Sequence, residues 1–235
     1  MALNKLERRQ IQRAVAFFEE QSDKFELLAE NVHRLLTRNR QLRILIHSSK
    51  YRIKDPEHLR DKIERKILEA RARRKRYQIT PDNLFQKIED LAGVRLLHLH
   101  TAQMKQMHPL IIETLEEQGF RIIGRPVANT WDDEYRRFFR DAGIQTRARD
   151  SMYTSVHYVI EESTKTKRRC ELQVRTLMEE VFGEVSHAIN YPHETKSVSC
   201  KEQIKTLARV ASGSTRLVDS IFTSHAAFKR EQRQA

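Results

Sequence analysis

The hydrophobic positions of this chain recur with a helical period towards both ends and with the shorter period of strands in the middle. In residues 25–48, apolar side chains fall on one helical face: Phe25, Leu28, Val32, Leu35 and Leu36. Helices are predicted over residues 4–20, 25–48, 56–76, 103–118, 176–191 and 199–230. Strands are predicted over residues 93–100, 120–128, 152–161 and 168–175. Residues 129–150 fit either a helix or a strand pair, so the pattern predicts a small sheet flanked and extended by helices.

Capping signals mark the starts of two predicted helices. Pro56 behind Asp55 suits a first helical turn and its cap. Thr176 and Glu179 are spaced as a capping box, in which each side chain satisfies the other's free backbone N–H. The helix that follows carries an apolar stripe, which we expect to be buried: Met178, Val181, Phe182, Val185 and Ile189.

The charge of the chain is concentrated in its first third. The formal net charge is +12, and residues 1–80 hold 21 Lys and Arg against 11 Asp and Glu. Such an imbalance favours a polyanionic partner, which is a set of nucleotide phosphates, an RNA or an acidic protein. The alternative is a set of solvated helix faces, since the run RARRKRY at residues 71–77 also suits a charged helix end.

Long apolar runs are absent from the sequence and cysteines are few. No run approaches the roughly 20 apolar residues that cross a bilayer, and the N-terminus lacks the apolar stretch of a secretion signal. Cys170 and Cys200 provide neither a disulfide framework nor a metal quartet. We therefore expect a cytoplasmic protein with no membrane partner.

Two neighbouring predicted strands share a polar face. Because strand side chains alternate, six polar groups fall on matching sides of residues 153–157 and 170–176: Tyr153, Ser155, His157, Glu171, Gln173 and Arg175. If the strands pair through their short connection, these groups form the floor of a ligand site. The alternative is an antiparallel sheet with one face in solvent.

Two carboxylates are candidates for a magnesium site. Asp90 stands at the entrance to a strand and Glu171 lies within another, the usual parts of a two-carboxylate Mg²⁺ site. Arg52 and Lys54, two residues apart in an extended segment, project the same way, towards an anion. The alternatives are a turn cap for Asp90 and surface charge for the two cations. Because no GxxxxGK[ST] motif occurs, a triphosphate must be held by side chains and metal.

Four segments, in this order and at this spacing, resemble one known family. They are YRIKDPEHLRDKIERK (51–66), IEDLAGVRLL (88–97), YTSVHYVIE (153–161) and ELQVRTLMEEVFGEVSHAINYP (171–192). Together they are similar to the synthetase domain of the RelA/SpoT family, the alarmone (ppGpp) synthetases, over residues 45–192. The resemblance implies an α/β (or α+β) fold, with a mixed five-stranded sheet wrapped by helices and related to nucleotidyltransferases.

The resemblance also implies an activity. The family moves the β,γ-pyrophosphate of ATP onto the 3′-hydroxyl of GDP or GTP, makes (p)ppGpp and releases AMP. Asp90 and Glu171 would be the catalytic residues and the Mg²⁺ ligands, with Glu171 also placed to help deprotonate the attacking hydroxyl.

Substrate contacts follow from the same resemblance. Arg52 and Arg95 are implied to hold the adenine of ATP, and Lys54 is implied to contact its phosphates. Tyr153 is implied to stack on the base of the acceptor nucleotide, and His157 and Gln173 are implied to line the same pocket.

The segment before Tyr153 departs from the family pattern. Many alarmone synthetases carry a lysine-rich loop that ends in Asn-Gly-Tyr, whereas this chain has QTRARDSMY, with Arg147 and Arg149 as its basic residues. Two alternatives therefore stay open. One is a toxin-type enzyme that pyrophosphorylates the 3′ end of tRNA or an adenine nucleotide. The other is a catalytically silent RNA-binding module, and the basic N-terminal third suits either RNA partner.

We predict three parts along the chain. Residues 1–44 form an N-terminal helical extension, residues 45–192 the synthetase core, and residues 193–235 a C-terminal helix that is a candidate oligomerisation element. The chain resembles small stand-alone synthetases, which lack the hydrolase and regulatory domains of long family members. That resemblance implies a homo-oligomer.

Overall fold

The computed structural model describes residues 3–190 and 194–234, and the boundary predicted at 192–193 lies outside them. The helices of this part are α1 (Lys5–Glu20), α2 (Ser22–Arg38), α3 (Arg40–Leu45), α4 (Pro56–Ala72), α5 (Pro81–Lys87), α6 (Met104–Glu117), α7 (Asp133–Asp141), α8 (Leu177–Asn190) and α9 (Val198–Gln234). The strands are β1 (Ser48–Ile53), β2 (Ala92–His98), β3 (Arg121–Ile122), β4 (Val127–Thr130), β5 (Gln145–Ala148), β6 (Ser155–Glu161) and β7 (Arg169–Thr176).

The strands of the described residues form one mixed sheet of seven strands, which confirms the predicted fold class. The order is β1-β2-β7-β6-β4-β5, and β3 pairs with the far end of β6. The β2–β7 and β4–β5 pairs are parallel and the others antiparallel. The sheet has two strands more than the five that the family resemblance implies. The run over 120–128 divides at Gly124, whose φ is +71°, and residues 129–150 form both α7 and β5.

The helix predicted over residues 25–48 is two helices followed by a strand. Its break falls at Asn39, which has an extended backbone with ψ of 122°. The Asn39 side chain accepts hydrogen bonds from the backbone N–H of Gln41 (2.9 Å) and of Leu42 (3.0 Å). An asparagine in this role starts a new helix, so α3 turns the chain into β1.

The N-terminal helices share the hydrophobic core of the sheet. Phe18 of α1 and Phe25 of α2 are buried, with ring centroids 5.6 Å apart. Phe25 also meets Phe85 of α5 edge-on at 5.0 Å, in the same cluster as Leu172 and Val174 of β7. Burial of these rings couples α1 and α2 to the strands that carry the candidate site.

The capping box predicted at the start of α8 is confirmed. Glu179 Oε2 accepts a hydrogen bond from the backbone N–H of Thr176 at 2.8 Å, and Thr176 Oγ1 accepts one from the backbone N–H of Glu179 at 3.3 Å. This pairing makes α8 follow β7 directly, with no loop between them.

The buried stripe predicted for α8 was wrong. Phe182 is buried, whereas the other four members are between 38% and 52% exposed: Met178, Val181, Val185 and Ile189. The helix instead turns Glu180 towards the sheet, where this carboxylate pairs with Arg95 of β2 and Arg175 of β7. Ion pairing of Glu180 with two largely buried guanidinium groups thus sets the rotation of α8 about its axis. As a result, most of the apolar side of the helix stays exposed.

The C-terminal helix α9 is attached to the core by a buried carboxylate. Asp132 caps α7 by accepting from the backbone N–H of Glu134 at 2.9 Å and of Tyr135 at 3.2 Å. The same side chain accepts from Ser212 Oγ at 3.0 Å and forms an ion pair with Arg216, both on α9. Within residues 3–190 and 194–234, α9 and every other helix is too short or too polar to cross a bilayer.

We expect the stability of the protein to depend on the protonation of Glu179. Burial raises the pKa of this carboxyl from 4.5 to about 7. The stabilisation from its neutral form is complete below about pH 4.5 and is lost as the pH rises towards 7, because the unfolded chain releases this proton first. Glu179→Gln keeps the capping box. Its free energy of unfolding should therefore fall less than that of the wild type over this pH range.

Urea denaturation at stepwise pH measures this difference, with Glu116→Gln on the exposed face of α6 as the matched control. The control should follow the wild-type curve. Parallel curves for the wild type and Glu179→Gln would show that Glu179 titrates normally in the folded protein.

Candidate active site

Four adjacent strands place the candidate residues side by side. In the parallel β2–β7 pair, Gly93 lies opposite Glu171 and Arg95 opposite Gln173. On either side, β1 sets Arg52 against Gly93 and β6 sets His157 against Gln173. Residues that are neighbours across a sheet and share its face have side chains in contact range, so strand register assembles the site from distant segments.

Asp90, at the turn that leads into β2, is held by two lysines. Its Oδ2 lies 3.0 Å from Lys54 Nζ and 2.7 Å from Lys62 Nζ. Burial opposes ionisation of this carboxyl, but the charges of Lys62 and Lys54 outweigh it and lower the pKa of Asp90 to about 2. The group is therefore a carboxylate at any physiological pH.

Lys62 is a site residue that the sequence patterns did not indicate. It lies on α4, and its contact with Asp90 spans 28 positions along the chain. The available signal was its helical spacing. Helix α4 begins at Pro56, two residues after Lys54, and Lys62 lies less than two turns further along that helix, so the two lysines lie near each other.

Glu171 is fixed by two hydrogen bonds. His157 Nδ1 donates to Glu171 Oε1 at 2.8 Å, and Gln173 Nε2 donates to Glu171 Oε2 at 2.8 Å. Burial raises the pKa of the carboxyl, but the hydrogen bond from His157 and the other contacts outweigh burial, so the pKa of Glu171 is lowered. A second ionised carboxylate thus stands near Asp90.

The two carboxylates face one small cavity. A space of about 20 Å³ is lined by both, and also by Arg52, Arg95 and Gln173. This volume is that of a single water-sized particle. Asp90 Oδ1 is buried and has no hydrogen-bond partner among the described residues, so one carboxylate oxygen remains for a ligand.

The cavity fits a Mg²⁺ ion completed by substrate. The described residues contain no group of three or more His, Cys, Asp or Glu arranged around a metal position. Mg²⁺ is commonly held by one or two carboxylates, with phosphate oxygens and water in its other positions. Asp90 and Glu171 are the residues that would hold it.

A second cavity of nucleotide size adjoins the first. It has a volume of about 440 Å³, within the usual range for small-molecule sites. Three residues line both cavities: Arg52, Arg95 and Gln173. Tyr153 and Arg175 form part of its sheet side, and α8 forms the opposite wall with Phe182, Gly183, Ser186, His187 and Asn190.

Tyr153 reaches this cavity from a position different from the predicted one. It precedes β6, which begins at Ser155, and it follows Met152, which adopts a left-handed backbone with φ of +57°. The ring of Tyr153 meets His157 edge-on, with centroids 5.9 Å apart. Ser155 is buried, and its Oγ donates to the carbonyl of Val174 at 3.3 Å, which removes it from the predicted polar face.

The structure therefore brings the residues of the predicted site together. Six line the two cavities: Arg52, Asp90, Arg95, Tyr153, Glu171 and Gln173. Lys54 and His157 contact the two carboxylates directly. Arg95 also donates to Glu180 at 2.8 Å and to Glu184 at 2.6 Å, both on α8.

Comparisons with known proteins agree with this arrangement of elements. A family model described as a region found in RelA/SpoT proteins matches residues 51–196. A GTP pyrophosphokinase family protein from Streptococcus pneumoniae is 21% identical with a TM-score of 0.61, covering 86% of this chain and 91% of that one. No curated protein matches.

Small alarmone synthetase 1 from Bacillus subtilis is also similar. Its structure with the product pppGpp is 18% identical, with a TM-score of 0.57, covering 88% of this chain and 99% of that one. Its structure with AMPCPP is 16% identical, with a TM-score of 0.57, covering 86% and 95%. The fold is thus the one that small alarmone synthetases use. The chain itself belongs to the RelA/SpoT family.

Proposed function

We propose that this protein is a pyrophosphokinase that transfers the β,γ-pyrophosphate of ATP to the 3′-hydroxyl of GDP or GTP, forming (p)ppGpp and AMP. The observation that carries the proposal is the small cavity shared by the ionised carboxylates of Asp90 and Glu171 beside a nucleotide-sized cavity. Family membership and the relative bound to its product pppGpp support it.

The ATP side of the site is rich in cations. Arg52 and Arg95 line both cavities, and planar guanidinium groups both stack on bases and pair with phosphates. Lys54 and Lys62 stand at Asp90, where they would offset the charge of a triphosphate. The relative bound to AMPCPP, an ATP analogue, supports ATP as the donor.

The acceptor side supplies a ring and a proton acceptor. Tyr153 offers an aromatic face for a base, with Gln173 and His157 close by. Glu171, ionised and oriented by His157, would accept the proton of the attacking 3′-hydroxyl. Mg²⁺ bound between Asp90 and Glu171 would neutralise charge on the phosphate oxygens. The chain's own part is thus to position the two nucleotides and to supply Glu171 as the proton acceptor.

A tRNA acceptor is the second candidate function. The turn after α4 exposes four consecutive basic residues: Arg73, Arg74, Lys75 and Arg76. Between residues 71 and 81 the sequence has no acidic residue to offset them. A cationic surface of this kind favours RNA phosphates.

The α9 helix supports a homo-oligomer as part of this proposal. Its outer side exposes apolar groups at heptad-like spacing: Val210, Leu217, Ile221 and Phe228. We expect more than one chain per particle, because association would remove these groups from water. Light scattering of the purified protein measures this mass, and a monomeric mass at micromolar concentration would contradict the expectation.

We expect transfer of label from γ-labelled ATP to GDP or GTP in the presence of Mg²⁺. Separate reactions with GDP, GTP, ATP and tRNA identify the acceptor by the product that carries the label. Label on tRNA or on an adenine nucleotide would favour the toxin-type pyrophosphorylation of that acceptor. The absence of label on every acceptor would leave a catalytically silent RNA-binding module.

Removal of either carboxylate should abolish this transfer. We expect Asp90→Asn and Glu171→Gln to lose about a hundredfold or more of the rate, because each loses a metal ligand and its charge. Asp61→Asn, an exposed neighbour on α4, is the matched control and should keep the wild-type rate. Circular dichroism should stay native in all three. Near-normal turnover in both site variants would refute the assignment.

A further inference from the structure

A buried arginine supports the ring of Tyr153. Arg175, near the end of β7, is 3% exposed, and its guanidinium carbon lies 5.5 Å from the centroid of the Tyr153 ring. Its Nη2 pairs with Glu180, while its Nε has no hydrogen-bond partner among the described residues. Burying a guanidinium carries a large desolvation penalty. The side chain is nevertheless held inside, at the face of an aromatic ring that attracts cations.

Gly183 of α8 leaves the space that this guanidinium occupies. A Cβ at position 183 would collide with Arg175 Nη1 and would lie 3.2 Å from Arg175 Cζ. Gly213, within α9, has no such neighbour within 4 Å in the part of the chain that the structure describes. A helix with glycine at an interior position is less stable than the same helix with alanine. The glycine therefore lowers the stability of α8 at the position next to which the Arg175 guanidinium lies.

Glu180 links Arg175 to the ATP side of the site. Its Oε1 accepts from Arg95 Nη1 at 2.8 Å, and its Oε2 pairs with Arg175. The carboxylate is 13% exposed. One side chain of α8 thus holds two guanidinium groups, one that lines both cavities and one that lies against Tyr153.

We propose that Arg175 is a positioning residue for the acceptor nucleotide. Held by Glu180 and admitted by the space at Gly183, it fixes the ring of Tyr153 on which the acceptor base stacks. The inference rests on the proposed function, because it assigns Tyr153 to the acceptor. Arg175 acts through Tyr153, so its loss should weaken acceptor binding and leave ATP binding nearly unchanged.

Gly183→Ala tests this with the addition of one methyl group. We expect its dissociation constant for GDP to rise about tenfold and that for AMPCPP to stay within about twofold, both measured by titration calorimetry on the full chain. The KM for the acceptor should rise in parallel, with kcat at saturating acceptor nearly constant. Gly213→Ala, the same change in a helix with open space, should leave both constants unchanged.

A double-mutant cycle separates positioning from a general structural effect. Arg175→Met should weaken GDP binding by a similar factor, and adding Gly183→Ala to it should change GDP binding by less than about twofold, because the methyl group then has no guanidinium to displace. If Gly183→Ala does not fold, Arg175→Lys tests the same point, since it keeps the charge but loses the planar fork.

The outcomes distinguish this inference from the proposed function. Wild-type affinity for GDP in Gly183→Ala, or equal weakening of GDP and AMPCPP binding, would overturn the positioning role alone. A wild type that binds GDP but transfers nothing to it would contradict the proposed function alone. A wild type that does not bind GDP would overturn both.

Discussion

The candidate site depends on keeping two carboxylates ionised in a poorly solvated place. Asp90 and Glu171 line one cavity of about 20 Å³, and their mutual repulsion and burial both favour protonation. Lys54 and Lys62 counter this at Asp90, and the hydrogen bonds from His157 and Gln173 counter it at Glu171. The parallel pairing of β2 with β7 brings these two sets of partners together. Without the partners, burial would favour the protonated forms of both carboxyls, which are weaker ligands for a cation.

A second electrostatic arrangement shapes the wall around the nucleotide-sized cavity. Glu180 and Glu184 draw α8 onto Arg95, and Glu180 also holds Arg175. These contacts leave an apolar stripe of α8 exposed to solvent and favour a glycine at position 183. The helix therefore follows the charges of the site in preference to its own amphipathic pattern, which is expected where function opposes local stability.

Much of this arrangement was predictable from the sequence, for identifiable reasons. Period-two alternation identified the strand that carries Glu171 and Gln173, and the resemblance to a known family supplied the roles that alternation alone leaves open. Lys62 was missed because its contact with Asp90 is tertiary, and helical spacing alone does not distinguish it from the other cations of α4. The rotation of α8 was missed because hydrophobic periodicity does not weigh ion pairs against apolar burial. The placement of Tyr153 was missed because alternation does not show that β6 begins only at Ser155, or that Met152 before the tyrosine is left-handed, which propensity disfavours.

The central claim is that Asp90 and Glu171 share one divalent cation. A crystal structure of the full chain with Mn²⁺ and AMPCPP, phased to give an anomalous difference map, tests it most directly. We expect one manganese peak within coordination distance of a carboxylate oxygen from each residue and of the nucleotide phosphates. A peak bound by one carboxylate alone, or located away from this cavity, would contradict the account.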